Sequence, residues 1–310
     1  MSALTERSNP MSLACSIGIM AYNEEANIGR LLEAVMSQQS RLVSVAEIVV
    51  VASGCNDRTE AIVQDWANRD PRIQLIAERQ REGKASAINR FLLQAREKIV
   101  VLCSADLLLE PDTIEELVAP FADSAVGITT GRPVPVNDPA NFMGFAAYLM
   151  WDLHHRINSC SFKAGEMIAF RKIFERIPRR TSVDEASIEP LIRGQGYEAR
   201  YVPAAVVYNK GPLTVGDFLR QRRRIYAGHL EIRHALGYNV STMSGTKILS
   251  FFLRNLDWHP GHFLWSWGVA VLEAYGRFLG KCDYKNRRDH SIWEMATTTK
   301  DLKTAVKVAP

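Results

Sequence analysis

Over the first 120 residues, short apolar runs alternate with stretches of helical periodicity. The runs "CSIGIMA" (15–21), "EIVVVAS" (47–53), "RIQLIAE" (72–78) and "KIVVLC" (98–103) are nearly continuous, as expected of strands covered on both faces. Between them Ile28, Leu31, Leu32, Val35 and Met36 recur at helical spacing. Ala61, Ile62 and Trp66 mark a helix over 59–68, and Ala87, Ile88, Phe91, Leu92 and Ala95 mark one over 83–97. Asn23 is placed to cap the first helix, with Glu24 and Glu25 at its positive end. After the fourth run Asp106 stands alone, and Pro111 reopens the chain as a helix. This alternation predicts an α/β fold, a doubly wound and mostly parallel sheet with helices on both faces. Ligands of such sheets sit beyond the C-terminal ends of the strands. "AYNEE", "ASGCNDRT", the turn within 78–89 and "CSADLLLEP" should therefore converge on one crevice.

The pattern then loosens. "VGITTGRP" (126–133) reads as a strand, "NFMGFAAYLMWDLHHRI" (141–157) as an apolar-rich helix, and 164–177 as a strand or turn running into a helix. Residues 183–208 read as a helix, a turn at Gly194–Gly196 and a final strand. The aromatic-rich stretch 260–280 predicts a C-terminal helix. It lacks Asp, Glu, Lys and Arg only from Pro260 to Leu272, whereas a membrane span needs about 20 apolar residues. A helix buried in the protein or lying in a membrane interface fits better. Trp293 marks 290–302 as an ordered tail. The division expected is a polar tail (1–12), a catalytic domain (13–238) and a C-terminal helical region (239–310).

Composition changes this picture little. Apolar residues make up 47% and charged residues 23% of 310, with a net charge of +4, so nothing requires nucleic acid. Basic clusters at 179–180, 220–224 and 285–288 are either a solvated face or a contact for phosphates or anionic membrane. Five scattered cysteines without a CxxC pair argue against zinc or a disulfide framework and for a reducing compartment. The first residues lack an apolar signal core, so a cytoplasmic protein is expected.

The series "IGIMAYNEEANIGRLLEAV", "IVVVASGCNDRT", "EGKASAIN", "SADLLLEPDTIEEL", "GEMIAFRK", "VDEASIEPLIRGQGYEARYVPAAVVY" and "QRRRIY" runs in order over residues 14–230. It closely resembles the family 2 glycosyltransferases, which have the GT-A fold and transfer a sugar from a nucleotide-sugar donor with inversion. The resemblance implies a UDP- or GDP-sugar donor. Tyr22 would stack on the base, with Asn23 or Glu24 at its edge. In the second loop Gly54, Asp57 and Thr59 match the family, while Ala52 and Ser53 replace two acidic residues. Ser53 still offers a hydrogen bond, and Asp57 either contacts the donor or caps the next helix. Lys84 supplies a point charge to the base or phosphates.

Where the family has D-x-D, Ser104 replaces the first aspartate and Asp106 keeps the metal-binding position. One carboxylate, phosphate oxygens and water suffice for Mg2+ or Mn2+. Asp184 and Glu185 align with the family's acidic pair. Counting back from Gly196–Tyr197 puts Glu185 at the base position, with Asp184 the alternative. Gln221 and Arg224 match the Q-x-x-R signature, and Ile225 replaces its tryptophan. Arg224 would pair with the diphosphate.

The acceptor expected is lipid-linked or related to cell-envelope polysaccharide, reached from the cytoplasmic face of a membrane with peripheral contact. The alternatives are a soluble small-molecule acceptor or a non-catalytic nucleotide-sugar-binding homologue. A nucleotidyltransferase would carry a glycine-rich loop after the first strand, and "AYNEE" is not one.

Overall fold

The computed structural model describes residues 12–179 and 181–292. The stretches 1–11 and 293–310, which include most of the expected tails, lie outside the described residues. Strands β1 (Leu13–Ala21), β2 (Val43–Ser53), β3 (Ile73–Glu78) and β4 (Ile99–Ser104) form the parallel half of the sheet. Helices α1 (Ile28–Met36), α2 (Thr59–Ala67) and α3 (Lys84–Gln94) connect them. Strands β5 (Leu108–Leu109), β6 (Val126–Pro135), β7 (Ile168–Arg171) and β8 (Glu198–Asn209) complete eight strands in the order β3-β2-β1-β4-β7-β6-β8-β5. Strand β7 runs antiparallel between β4 and β6, while β6 and β8 are parallel, so the second half of the sheet is mixed. Helices α4 (Thr113–Val118), α5 (Phe142–Asn158), α6 (Asp184–Arg193), α7 (Val215–Leu236), α8 (Gly245–Arg254) and α9 (Pro260–Lys285) complete the fold.

The near-continuous apolar strands feed two cores, because successive side chains point to opposite faces. Ile17, Ile19, Ile48 and Val50 pack on α1, α2 and α4 through Leu31, Val63 and Leu117. Val49, Val51, Ile168 and Phe170 pack on α3 and α6 through Phe91, Ile88 and Ile188. Gly18 admits the α3 side: a Cβ there would lie 2.5 Å from the ring of Phe91.

Two local expectations are corrected. Asn23 does not cap α1, which begins at Ile28 with Asn27 at the N-cap position. Asn23 instead takes a left-handed backbone (φ 52°), and its Oδ1 accepts the Asn56 N–H at 2.9 Å. Residues 172–177 form no helix. Phe174 stacks on Phe170 with centroids 5.4 Å apart, and the amide of Asn89 bonds both the N–H and the carbonyl of Ile177. These tertiary contacts hold the segment against α3 as irregular backbone.

The C-terminal helices are part of the same body. Helix α9 lies along α7, joined by the ion pairs Arg222–Glu273 and Arg223–Asp283. Met143 and Ala146 of α5, Phe218 of α7 and Val269 of α9 form a further small core. Helix α9 has 26 residues, yet among the described residues no helix is long and apolar enough to cross a membrane. Its outward side carries Leu264, Trp267, Val271, Tyr275 and Phe278, all exposed. Their three- and four-residue spacing makes one apolar stripe.

Candidate active site

The C-terminal ends of β1, β2 and β4 open into one cavity of about 850 Å3, whose far walls come from α5, α7, α8 and α9. Tyr22, Glu24 and Ser53 line it from the first two loops. Asn23 and Asp57 do not; they lock those loops together. The Glu25 N–H donates to Asp57 Oδ2 at 3.1 Å and the Thr59 N–H to Asp57 Oδ1 at 2.9 Å. Burial works against the Asp57 charge, but these hydrogen bonds and that of the Thr59 hydroxyl outweigh it, holding the carboxyl below its ordinary pKa. Glu24 is buried and accepts from Asn27 Nδ2 at 2.9 Å. The Arg81 guanidinium lies 4.0 Å from the centroid of the Tyr22 ring, a cation–π contact at the cavity edge.

Helix α3 starts at the cavity because Gly83, at φ 90°, turns the chain where a side chain would be strained. A Cβ there would also lie 2.6 Å from the Ser291 carbonyl oxygen, so the C-terminal segment rests on this turn. Lys84 follows. Its ammonium pairs with Glu185 and donates to Ser104 Oγ at 3.3 Å. Burial lowers the Lys84 pKa, but Glu185 and Asp184 overcome this and hold it above its ordinary value. Glu185 and Asp184 open α6, and both line the cavity. Asp184 is buried, with Oδ1 lacking a hydrogen-bond partner among the described residues. Burial, then the neighbouring Glu185 charge, raises its pKa. Gln221 and Arg224 face the same space from α7, and Arg224 Nη1 donates to the Ser182 carbonyl at 2.7 Å.

Asp106 sits just past β4, half-buried in the cavity wall. Among the described residues no hydrogen bond or ion pair engages its carboxylate, and no group of three or more His, Cys, Asp or Glu side chains is arranged to hold a metal ion. One unengaged carboxylate beside a serine hydroxyl does not make an all-protein cage. It does fit a hard cation that takes its remaining oxygens from a diphosphate and water.

Sequence reasoning did not assign several cavity residues. Glu166 lines the cavity, and burial together with the Glu185 and Asp106 charges pushes its carboxyl up to about 7. It lies within the quoted "GEMIAFRK", where an acid directly before a buried apolar strand was the available signal. Lys163 carried no such signal. Neither did the pairing of Glu273 with Arg222, which joins α9 to α7.

The eight-stranded sheet, with these loops gathered around one cavity, has the arrangement of the GT-A fold. The chain belongs to glycosyl transferase family 2: the profile of that family matches residues 16–179, and that of glycosyl transferase family group 2 matches residues 99–284. A dolichyl-phosphate beta-glucosyltransferase of Trichomonas vaginalis is 29% identical over 35% of this chain and 34% of its own length. A poly-beta-1,6-N-acetyl-D-glucosamine synthase of Staphylococcus aureus is 22% identical over 69% of this chain and 54% of its own. The chain thus spans about a third to a half of the curated relatives it matches.

Among solved structures, a mannosyltransferase from Pyrobaculum calidifontis in complex with GDP-Man and Mn2+ superposes with a TM-score of 0.58 at 22% identity. That match covers 93% of this chain and 86% of the other. A glucosyl-3-phosphoglycerate synthase from Mycobacterium tuberculosis, in complex with Mn2+, UDP and glucosyl-3-phosphoglycerate, gives 0.50 at 17% over 73% and 80%. At such identities the two structures speak to the fold.

Proposed function

We propose that the protein transfers a sugar, with inversion, from a UDP- or GDP-sugar to a hydroxyl of a lipid-linked or cell-envelope acceptor. The observation that carries this reading is the unengaged Asp106 carboxylate sharing one cavity with Lys84 and the Asp184–Glu185 pair. Asp106, with diphosphate oxygens and water, would hold Mg2+ or Mn2+. Such a cation, when bound, neutralises charge on the leaving diphosphate. Lys84, Gln221 and Arg224 would bind the same diphosphate, with Ser104 bonding donor or water. Tyr22, Glu24 and Ser53 would receive the base, on loops that Asn23 and Asp57 hold in place. Glu185 has one oxygen on Lys84, leaving Oε2 to accept the acceptor's proton. Asp184 stands behind it as a buried neighbour.

The lipid side rests on the exposed stripe of α9. Trp267 belongs both to that stripe and to the cavity wall, so the cavity opens beside it. Lys281, Lys285, Arg287 and Arg288 follow the stripe. A polybasic cluster is worth about 1 kcal/mol per cation near anionic lipid. This supports peripheral contact on the cytoplasmic face of a membrane.

Two measurements test the reading. In a thermal-shift series of nucleoside diphosphates with Mn2+, UDP or GDP should stabilise the fold by mass action. No stabilisation by any nucleotide would refute the donor site. Sedimentation with anionic vesicles should be salt-sensitive and weakened by Val271→Ser with Phe278→Ser. A chain that stays in the supernatant in every condition would exclude the lipid contact.

A further inference from the structure

Beyond the Asp184–Glu185 centre, the cavity has a second cationic wall that the donor reading does not use. Lys163, from the loop after α5, lines it together with Arg222 of α7 and Arg277 of α9. The Lys163 backbone is fixed, its N–H donating to Asn158 Oδ1 at 2.7 Å. Its ammonium has no hydrogen bond or ion pair among the described residues. Arg222 gives Nε and Nη2 to Glu273; Arg277 gives Nε to Glu273 and Nη2 to the Thr242 carbonyl. Nη1 of each arginine is left without a hydrogen bond among the described residues.

Glu273 is therefore the ion-paired carboxylate of both arginines, and among the described residues Lys163 has none. Glu166 is the other acid near enough to act on Lys163. His154 and His229, which also line the cavity, are held by burial well below their ordinary pKa, so they add no charge. Burial, then Arg222 and Arg277, lowers Lys163 to about 8. A half-buried ammonium beside two guanidinium groups is unfavourable unless an anion comes to it.

We propose that Lys163, with Arg222 and Arg277, forms an oxyanion subsite that holds a phosphate group carried by the acceptor. This deepens the proposed function and rests on it, since the phosphate would tether the acceptor while its hydroxyl meets Glu185. A tetrahedral oxyanion can meet a lysine point charge and guanidinium donors together. The adjoining wall of Leu249, Phe252 and Trp267 suits an apolar chain on the same molecule. A free phosphorylated acceptor and a lipid phosphate share the same headgroup chemistry.

The test uses the full chain, saturated with the nucleoside diphosphate that binds best and Mn2+, so that the donor position is filled. Inorganic phosphate is then titrated by calorimetry. It should bind at one site per chain. Lys163→Gln should weaken it more than tenfold and Lys163→Arg less than threefold, with nucleotide affinity unchanged within twofold in both. From about pH 7.5 to about pH 9.5 the dianionic fraction of inorganic phosphate only rises, so the expected fall in wild-type affinity across that window reports Lys163 losing its charge. Lys163→Arg should remove that fall. The pH series on the wild type decides the matter if Lys163→Gln does not fold.

Absence of phosphate binding to the nucleotide-loaded protein overturns the subsite, as does binding indifferent to Lys163→Gln or a wild-type affinity flat with pH. Loss of nucleotide affinity in Lys163→Gln also overturns it, by moving the lysine to the donor. Failure of the nucleotides themselves to bind removes the transfer reading first and is seen separately. Competition separates the sources. Dodecyl phosphate displacing phosphate at least tenfold better than glycerol phosphate marks a lipid headgroup, and equal displacement marks a soluble acceptor; either supports the subsite.

Discussion

The contact between α7 and α9 should be unusually sensitive to a single methyl group at Gly280. A Cβ there would lie 2.6 Å from the Arg223 carbonyl oxygen, 3.0 Å from Tyr226 Cβ and 3.2 Å from the Ala227 nitrogen. Two of these atoms are backbone, so no rotamer relieves the clash. Gly280→Ala gains about 1 kcal/mol of helix propensity. Overpacking costs about 1–3 kcal/mol, and contact with backbone belongs at the upper end. The net loss is about 2 kcal/mol. At roughly 2 °C per kcal/mol for a chain of this size, Tm should fall by about 4 °C. Gly245→Ala is the control, because nothing lies within 4 Å of a Cβ at that first residue of α8. Scanning calorimetry of the two variants and wild type makes the comparison. A Gly280→Ala protein melting at or above the Gly245→Ala protein would refute the close approach of the helices.

Three further outcomes are expected. Asp106→Asn should weaken Mn2+-dependent nucleoside diphosphate binding, measured by calorimetry, at unchanged Tm; unaltered affinity would remove Asp106 from the metal site. Glu185→Gln should lower kcat on the order of 10²–10⁴-fold with little change in donor Kd. If Asp184→Asn alone produced that loss in steady-state kinetics, the base would be Asp184. Glu273 should make stability acid-sensitive. Burial opposes its ionisation, but Arg222 and then Arg277 lower its pKa from 4.5 to about 2. A depressed carboxyl stabilises above its unfolded pKa, and that contribution is lost as pH falls from 4.5 toward about 2. Melting curves across that window should show a shallower acid decline for Glu273→Gln, and parallel declines would contradict the pairing.

The sequence made the parallel half of the fold legible because strands buried on both faces leave uninterrupted apolar runs. It made Asp106 legible because a charge directly after such a run has few structural uses. What stayed hidden depends on distant partners. Ile173, Phe174 and Ile177 carry a spacing compatible with a helix, yet Phe170 and Asn89 hold that segment in irregular backbone. Asn23 has the chemistry of a cap, but the loop after β2 claims its side chain and the turn sets its backbone. The acidic partner of Arg222 lies on another helix, and no local pattern announces it. Lys163 is surrounded only in three dimensions, so composition and periodicity pass over it.

The cavity draws its walls from β1, at the start of the described chain, and from α9, near its end, and this has a temporal consequence. A chain leaving the ribosome forms β1 to β4 early, since all four strands lie within the first 104 residues. Asp106 then stands at the end of its strand on the order of 10–30 s, at typical synthesis rates, before Glu273 is made. Arg222, made 51 residues ahead of Glu273, waits on the order of 3–10 s for its carboxylate from α9, and until then the apolar walls of α5 and α7 lack their cover. Ribosome-bound chains in which Arg254 but not Pro260 has emerged should therefore be more readily cut by protease within α5 and α7 than chains in which Arg288 has emerged. Equal protection would mean that these helices settle without α9.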